Sequence, residues 1–370
     1  MNILVSGAGI AGLASARELG RQGHDVTVVE SGRDLRLAGT PIDIRGSAIQ
    51  AAADMGLLPA ILERRIRMSE FTQFVDSAGE PVAWLPIAEM GDSDDDIEIL
   101  REDLMCILAD DLPATATVRF EDCIESLTDT TDGVDVHFRS GRTGRYDLVL
   151  GADGQHSAVR RMVFGPDGEH LRHLGVYAAL ADIPDDEDSD GPNRLHNVPG
   201  RMAGIFRYQG KTVAVFQFLS EPIEYDYRDL AAQKRILADV FSGCVSWRIP
   251  ELLDAALADP GFYFTAASQI RLQSWHRGRV VLVGDAGYCP AFLSGRGTSL
   301  ALKGARVLAE ELARSEGDHR VAFSAYDRRL RPDVTHAQNT VESGRARILP
   351  DTWDAIAARD AELRARVNTA

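Results

Sequence analysis

MNILVSGAGIAGLASARELGRQGHDVTVVES (residues 1–31) opens the chain and decides how the rest is read. Ile3, Leu4 and Val5 form a short apolar strand running into Gly7-Ala8-Gly9-Ile10-Ala11-Gly12. Apolar residues then recur at helical spacing from Ala11 to Leu19, Gly23 closes the run, and Val26 to Val29 make a second strand. Strand, glycine turn, helix and strand within about thirty residues is the unit in which G-x-G-x-x-G binds a dinucleotide. Gly7 permits the tight turn, Gly9 lets the backbone approach a pyrophosphate, and Gly12 lets helix and strand pack closely. The helix start offers unpaired N–H groups and the positive end of its dipole to phosphates. Glu30, eighteen residues past Gly12 and followed by Ser31, stands where an acid hydrogen-bonds a ribose diol. The motif alone does not separate NAD, NADP and FAD, although a glutamate in place of a basic residue disfavours NADP here.

Two later segments repeat the design. YDLVLGADG (146–154) is an apolar strand ending in Gly151-Ala152-Asp153-Gly154, and GRVVLVGDAG (278–287) is another ending in Gly284-Asp285-Ala286-Gly287. Strands apolar at consecutive positions are buried on both faces, as in parallel sheets, and such sheets bind ligands at the carboxyl ends of their strands. The expectation is one discontinuous nucleotide-binding domain whose strand tips converge on one long ligand. Beyond Asp285, Gly295 and Gly297 form a second glycine loop, with Thr298 or Ser299 expected to cap a helix reaching about Ala313. Residues 71–85 and 205–218 read as hairpins turning at Ala78-Gly79 and Gln209-Gly210, and 174–181 adds a strand. These predict an antiparallel sheet that covers the cofactor and holds substrate.

Composition narrows the class. The 370 residues suffice for two packed domains, and 45% are hydrophobic. The formal net charge of −16 opposes nucleic acid and anionic membrane as partners. The acidic runs GDSDDDIE (91–98) and PDDEDSDG (184–191) read as solvated loops. Cys106, Cys123, Cys244 and Cys289 are scattered without a C-x-x-C, so neither a metal site nor a disulfide scaffold is expected. With a strand starting at residue 2 or 3 and no apolar run of membrane-spanning length, the expectation is a cytoplasmic protein without signal peptide or membrane span.

The set as a whole resembles the FAD-dependent aromatic hydroxylases, the single-component flavoprotein monooxygenases of the para-hydroxybenzoate hydroxylase type. The resemblance spans the chain in order: the opening motif with Glu30, Arg101 in LREDL, GADGQHSAVRRMV (151–163), and GDAGYCPAFLSGRGTSLAL (284–302). It implies an α/β fold. A Rossmann-like FAD-binding domain with a discontinuous, mostly parallel sheet (1–70, 101–170, 271–325) is joined by an antiparallel-sheet substrate domain (71–100, 171–270). C-terminal helices (326–370) follow. It implies cofactor contacts from Gly7, Gly9, Ile10, Ala11, Gly12, Glu30, Ser31, Arg45, Arg101, Asp153, Gly154, Asp285, Pro290, Gly295, Gly297 and Thr298. In that assignment the first glycines and Glu30 bind the ADP half, and Arg101 the ribityl or phosphate region. Asp285 binds the ribityl hydroxyls, and Pro290 with Gly295 to Thr298 lies against the flavin ring. Asp153, with Arg160 downstream, belongs to a motif serving both FAD and the nicotinamide donor. The chain departs from the family in Gly287-Tyr288 for Ala-His and Thr298-Ser299 for an Asn.

The implied reaction is oxygenation of an aromatic, polyketide-like or antibiotic-like small molecule by dioxygen through a flavin hydroperoxide. NADPH or NADH, lacking a Rossmann domain of its own, serves as transient reductant. The protein would exclude water and stabilise anionic flavin at the helix after Gly297. No catalytic side chain is assigned, the chemistry being the cofactor's; Arg45 and Tyr288 are the candidates. Phe206, Tyr208, Phe216, Phe218 and Tyr288 are the candidate substrate contacts. His173, His196 and His276 read as bystanders. The protein is expected as a monomer or homodimer. The rivals are an oxygen-independent FAD reductase or dehydrogenase and a flavin halogenase. The latter needs a lysine in the flavin domain, whereas the lysines stand only at Lys211, Lys234 and Lys303, none in the first 200 residues, and VSWRIPELL (245–253) lacks the second tryptophan. A flavin-binding sensor without turnover is the third.

Overall fold

Ile3, Leu4 and Val5 are wholly buried in the strand Asn2–Ser6, because both faces of that strand carry protein. A computed structural model describes residues 1–36, 41–66, 71–86, 93, 95–184 and 191–367. The chain divides into two compact units. The first comprises Met1–Arg65, Asp95–Arg172 and Ser268–Thr340, and the second Ile66–Asp94, His173–Ala267 and Val341–Ala370.

The first unit is built on a six-stranded sheet. In spatial order its strands are His276–Arg277, Val280–Leu282, Leu148–Gly151, Asn2–Ser6, Asp25–Val29 and Ala116–Arg119. All neighbours run parallel except the first pair. The helix Ile10–Arg21 crosses from the fourth strand to the fifth and lays Leu13, Ala14, Ala16 and Leu19 into the core. A small sheet of Pro41–Ile44, Ile97–Leu100 and Arg65–Ile66 has its first two strands in the same unit. The helix His319–Asn339 belongs to this unit also, while Val341–Ile348 and Trp353–Val367 belong to the second. The C-terminal helices, expected as one segment, thus split at Thr340.

The second unit carries a seven-stranded sheet ordered Tyr263–Ile270, Leu171–Ile183, Lys211–Leu219, Arg201–Tyr208, Asn193–Val198, Phe71–Val75 and Pro81–Pro86. Both expected hairpins form, and the second turns through Gln209 and Gly210 at φ 49° and 73°, as a two-residue hairpin loop requires. From Leu171–Ile183 to Pro81–Pro86 the pairing is antiparallel except between Asn193–Val198 and Phe71–Val75, which run parallel. The helices Leu230–Phe241 and Ile249–Ala258 pack on one face through Leu237, Phe241, Ile249 and Leu252. Of the two acidic runs, residues 91, 92, 94 and 185–190 lie outside the described residues. Among the described residues no helix is long and apolar enough to cross a membrane.

Candidate active site

Three strand tips meet in the first unit. Ser6 pairs in register with Gly151, and Gly151 with Leu282, so the glycine motifs after Ser6, Leu150 and Val283 sit side by side at one carboxyl edge. The glycines record how close the approach is. A Cβ on Gly7 would stand 2.5 Å from the Ala152 carbonyl oxygen, one on Gly12 1.9 Å from the Gly7 carbonyl oxygen, and one on Gly284 2.7 Å from the Ala11 Cβ. Each of these contacts joins one motif to itself or to another, and real Cβ atoms do not tolerate such distances.

Gly9 differs. A Cβ there would meet nothing within 4 Å, and Gly9 is the N-cap of Ile10–Arg21 with no side chain capping the helix. Open space in front of uncapped amides is what a pyrophosphate needs. The helix Gly297–Arg314 also starts without a side-chain cap, its N-cap being Arg296. Thr298 and Ser299 lie inside its first turn, so the cap expected from them does not form, and Ser299 instead accepts the Arg45 N–H at 2.9 Å. A Cβ on Gly297 would lie 3.8 Å from Asp285 Oδ1. One carboxylate and two unclosed helix starts therefore border the same edge, and these residues fit a long dinucleotide cofactor.

The acids have separate duties. Glu30 accepts from Ala8 N–H at 3.0 Å through Oε2 and from Gly32 N–H at 2.8 Å through Oε1, with Ser31 Oγ at 3.1 Å. Burial raises its pKa, but these bonds outweigh burial and hold the carboxyl below its ordinary value. Its charge thus ties the glycine turn to the loop after the second strand. Burial raises the pKa of Asp285, which the Cys289 thiol and the charge of Arg101 oppose. Arg101 also donates to the Arg36 carbonyl.

The structure places Asp153 differently from the expectation. Its carboxylate accepts from Ser157 Oγ at 2.5 Å, Ala158 N–H at 2.8 Å and Val159 N–H at 3.1 Å, closing the start of Ala158–Phe164. These bonds serve its own loop and brace Gly154. Burial pushes its pKa up against those bonds. Arg160, wholly buried, links two motifs: Nη1 donates to the Ala286 carbonyl at 2.9 Å, and Nη2 to the Gln155 carbonyl at 2.7 Å and Asp167 at 2.6 Å. The loop carrying Pro290 holds Ala291 at φ 75°, a strained conformation for a residue with a Cβ, and Gly295 at φ 61°.

Tyr288, expected as a substrate or catalytic residue, instead faces the protein interior. It is 1% exposed, its hydroxyl accepts from Tyr326 Oη at 2.9 Å, and its ring lies 4.6 Å from that of Trp275. A Cβ on Gly304 would stand 2.1 Å from its hydroxyl, so no ligand reaches it. Tyr288→Phe is expected to cost about 1 kcal/mol of stability, the worth of one buried hydrogen bond. Urea unfolding checks this, with kcat and KM unchanged.

In the second unit the four sheet aromatics part company. Phe216 and Phe218 are fully buried under the helices, with Phe216 edge-on to Phe241 at 5.0 Å, so both are core and not substrate contacts. Phe206 and Tyr208 alternate to the opposite face of the sheet, Phe206 paired with Val213 and Tyr208 with Lys211. His196 is engaged by the Val75 carbonyl and Ser246, both at 2.9 Å.

The sequence reading passed over Asp43 and Glu98. Glu98, the end of the acidic run GDSDDDIE, lies not in a solvated loop but in the strand Ile97–Leu100 directly opposite Asp43. The available sign was alternation: IDI and IEI each set an acid between two isoleucines, which puts the acids on one face.

Residues 1–185 match the family model described as an FAD binding domain. The chain belongs to the FAD-dependent flavoprotein monooxygenases. It is 37% identical over 346 residues to a flavin-dependent monooxygenase of Legionella longbeachae, covering 90% of this chain and 86% of that protein. It is 32% identical over 378 residues to the FAD-dependent monooxygenase asL6 of Sarocladium schorii, covering 93% and 87%. The crystal structure of the tetracycline destructase Tet(51) superposes with a TM-score of 0.84 at 33% identity, covering 99% of this chain and 96% of that one. The monooxygenase is thus built as the opening motif and its two companions require: a mostly parallel flavin-binding sheet, a mostly antiparallel second sheet and C-terminal helices.

Proposed function

We propose that this monooxygenase oxygenates an aromatic, polyketide-like or antibiotic-like small molecule, drawing electrons from NADPH or NADH that binds transiently. The observation that carries the reading is the shared carboxyl edge of the three glycine motifs, with open space at Gly9 and Asp285 beside the uncapped helix at Gly297. Bound FAD supplies hydride acceptance and oxygen activation. The chain's own residues do the rest. The start of Ile10–Arg21 holds phosphate charge, Glu30 fixes the turn that presents those amides, and the start of Gly297–Arg314 offers positive potential where negative charge develops. Arg45 is held against Gly295 and keeps its place as a cofactor contact in this reading. The bulky substrate class is supported by Phe206, half-buried on the sheet face away from the helices, and by the likeness to a tetracycline destructase.

Oxygen consumption with NADPH or NADH and a panel of phenolic and polycyclic compounds tests this. Turnover should yield a product one oxygen atom heavier. Reductant oxidation with peroxide as the sole product for every compound rejects the substrate class, and oxidation without oxygen uptake favours the reductase alternative.

A further inference from the structure

The antiparallel pair Pro41–Ile44 and Ile97–Leu100 has two unlike faces. Ile42, Ile44, Ile97 and Ile99 make its apolar side, with Ile44, Ile97 and Ile99 buried in the core. On the other side Asp43 and Glu98 stand opposite one another. Arg45, two residues beyond Asp43, falls on this same side and bonds Asp43 Oδ2 through Nη2 at 2.9 Å. Its Nε lies 3.9 Å from Asp96 Oδ2, and its guanidinium carbon 3.0 Å from where a Cβ on Gly295 would be. Ser299, in the first turn of the glycine-loop helix, accepts the Arg45 N–H and donates to the Asp43 carbonyl at 3.3 Å. One arginine, held against the loop before Gly297–Arg314, is therefore shared between the carboxyls of Asp43 and Asp96.

We propose that Glu98 is a positioning residue that carries an exchangeable proton: protonated, it leaves Arg45 to Asp43 and the Gly295 loop; ionised, it draws Arg45 away from that loop. The proposal rests on the flavin reading of this edge. The step is a proton transfer between solvent and one carboxyl, Glu98–COO⁻ plus H⁺ giving Glu98–COOH, with no electron moved. Negative charge arriving beside Gly295 favours the protonated form, so a proton enters Glu98 as charge enters the site.

Asp43 and Arg45 are the charges that act on Glu98, and further charged groups of the arrangement act on those two or on their neighbours. Asp43 comes from the neighbouring strand, Arg45 directly follows that strand, and Asp96 directly precedes the strand of Glu98. Arg65 on the third strand donates to the Asp96 carbonyl at 3.0 Å, and Arg296 acts on Asp43 from the glycine loop. Burial first, then the Asp43 charge, push the Glu98 carboxyl up to about 7, with Arg45 opposing. Burial likewise raises Asp43. A carboxyl raised in the folded state is protonated below that value, so the form that leaves Arg45 at the loop prevails on the acid side of about pH 7.

Wild-type protein and Glu98→Gln are compared across neutral pH by two readouts, the carbonyl stretch of protonated carboxyl in infrared difference spectra of the apoprotein and the dissociation constant for FAD. In the wild type a carbonyl band should vanish as pH rises through neutrality, with FAD binding weakening about threefold or more, which is the effect of about half a pK unit of linkage. In Glu98→Gln the band should be missing and FAD affinity independent of pH over that range. Identical pH profiles in two proteins that both bind FAD overturn the role of Glu98 and leave the flavin reading standing. Failure of the folded wild type to bind FAD overturns the flavin reading itself. Should Glu98→Gln not fold, Asp43→Asn gives the second test: removing the opposed charge should move the band's loss to lower pH, and an unmoved band overturns the proposal.

Discussion

Gly12→Ala should abolish FAD binding by damaging the fold, whereas Gly9→Ala should weaken FAD binding and leave the fold intact. The added methyl at Gly12 would stand 1.9 Å from the Gly7 carbonyl oxygen, inside the turn that joins the first strand to its helix. Backbone must move to admit it, at a cost of about 3 kcal/mol, the upper end for overpacking a tight interior. At Gly9 the methyl meets no protein atom within 4 Å, and the backbone φ of −76° suits alanine. Apoprotein stability should stay within about 0.5 kcal/mol of wild type. FAD affinity should fall by about tenfold or more, because the methyl occupies the approach to the helix amides, and tenfold is about 1.4 kcal/mol. Urea unfolding of the apoproteins and quenching of FAD fluorescence measure the two effects separately. Equal FAD affinity in Gly9→Ala and wild type would place the pyrophosphate elsewhere.

Arg160→Ala should destabilise the first unit by about 3 kcal/mol or more, because removing one partner of a buried charged network strands the others. The carbonyls of Ala286 and Gln155 would lose their donor, and Asp167 would lose its bond to Nη2 while keeping Arg161 at 3.0 Å. The Asp167 carboxyl, which burial raises and the two arginines bring below its ordinary value, should move back up. Since Ala286 follows Asp285, the strand tip itself loosens, and FAD affinity should fall with stability. Added FAD should recover part of the lost melting temperature by mass action. Arg160→Lys should recover little, since one ammonium cannot span three acceptors arranged for a planar fork. Unchanged stability with a raised KM for NADPH or NADH alone would return Arg160 to the nicotinamide role that the family resemblance implies.

Much of this was legible in the sequence, and the reasons are local. The opening unit announces itself because glycine is demanded where backbone crosses backbone, and strands buried on both faces must be apolar throughout. Both hairpins carried their turn residues at the required positions. What the sequence hid was direction. Phe216 and Phe218 read like Phe206 and Tyr208, yet the pairs point to opposite sides of the sheet, and only the helices Leu230–Phe241 and Ile249–Ala258 decide which side is core. Tyr288 stands among cofactor residues in the sequence but turns into the interior, where Tyr326, thirty-eight residues away, supplies its hydrogen bond. Asp153 sits at a strand tip as a ligand would, and then spends its oxygens on its own helix start.

The sequence by itself determined a dinucleotide-binding βαβ unit, its two companion strand ends and a second sheet, because each follows from backbone geometry within a short stretch of chain. The tertiary structure alone decided which side chains remain available to a ligand. It paired Asp43 with Glu98 across fifty-five residues, shared Arg45 between carboxyls and glycine loop, and buried Arg160 as a clasp between two motifs. Hydrogen bonds and charge effects act over a few ångströms of space, and sequence distance does not record them.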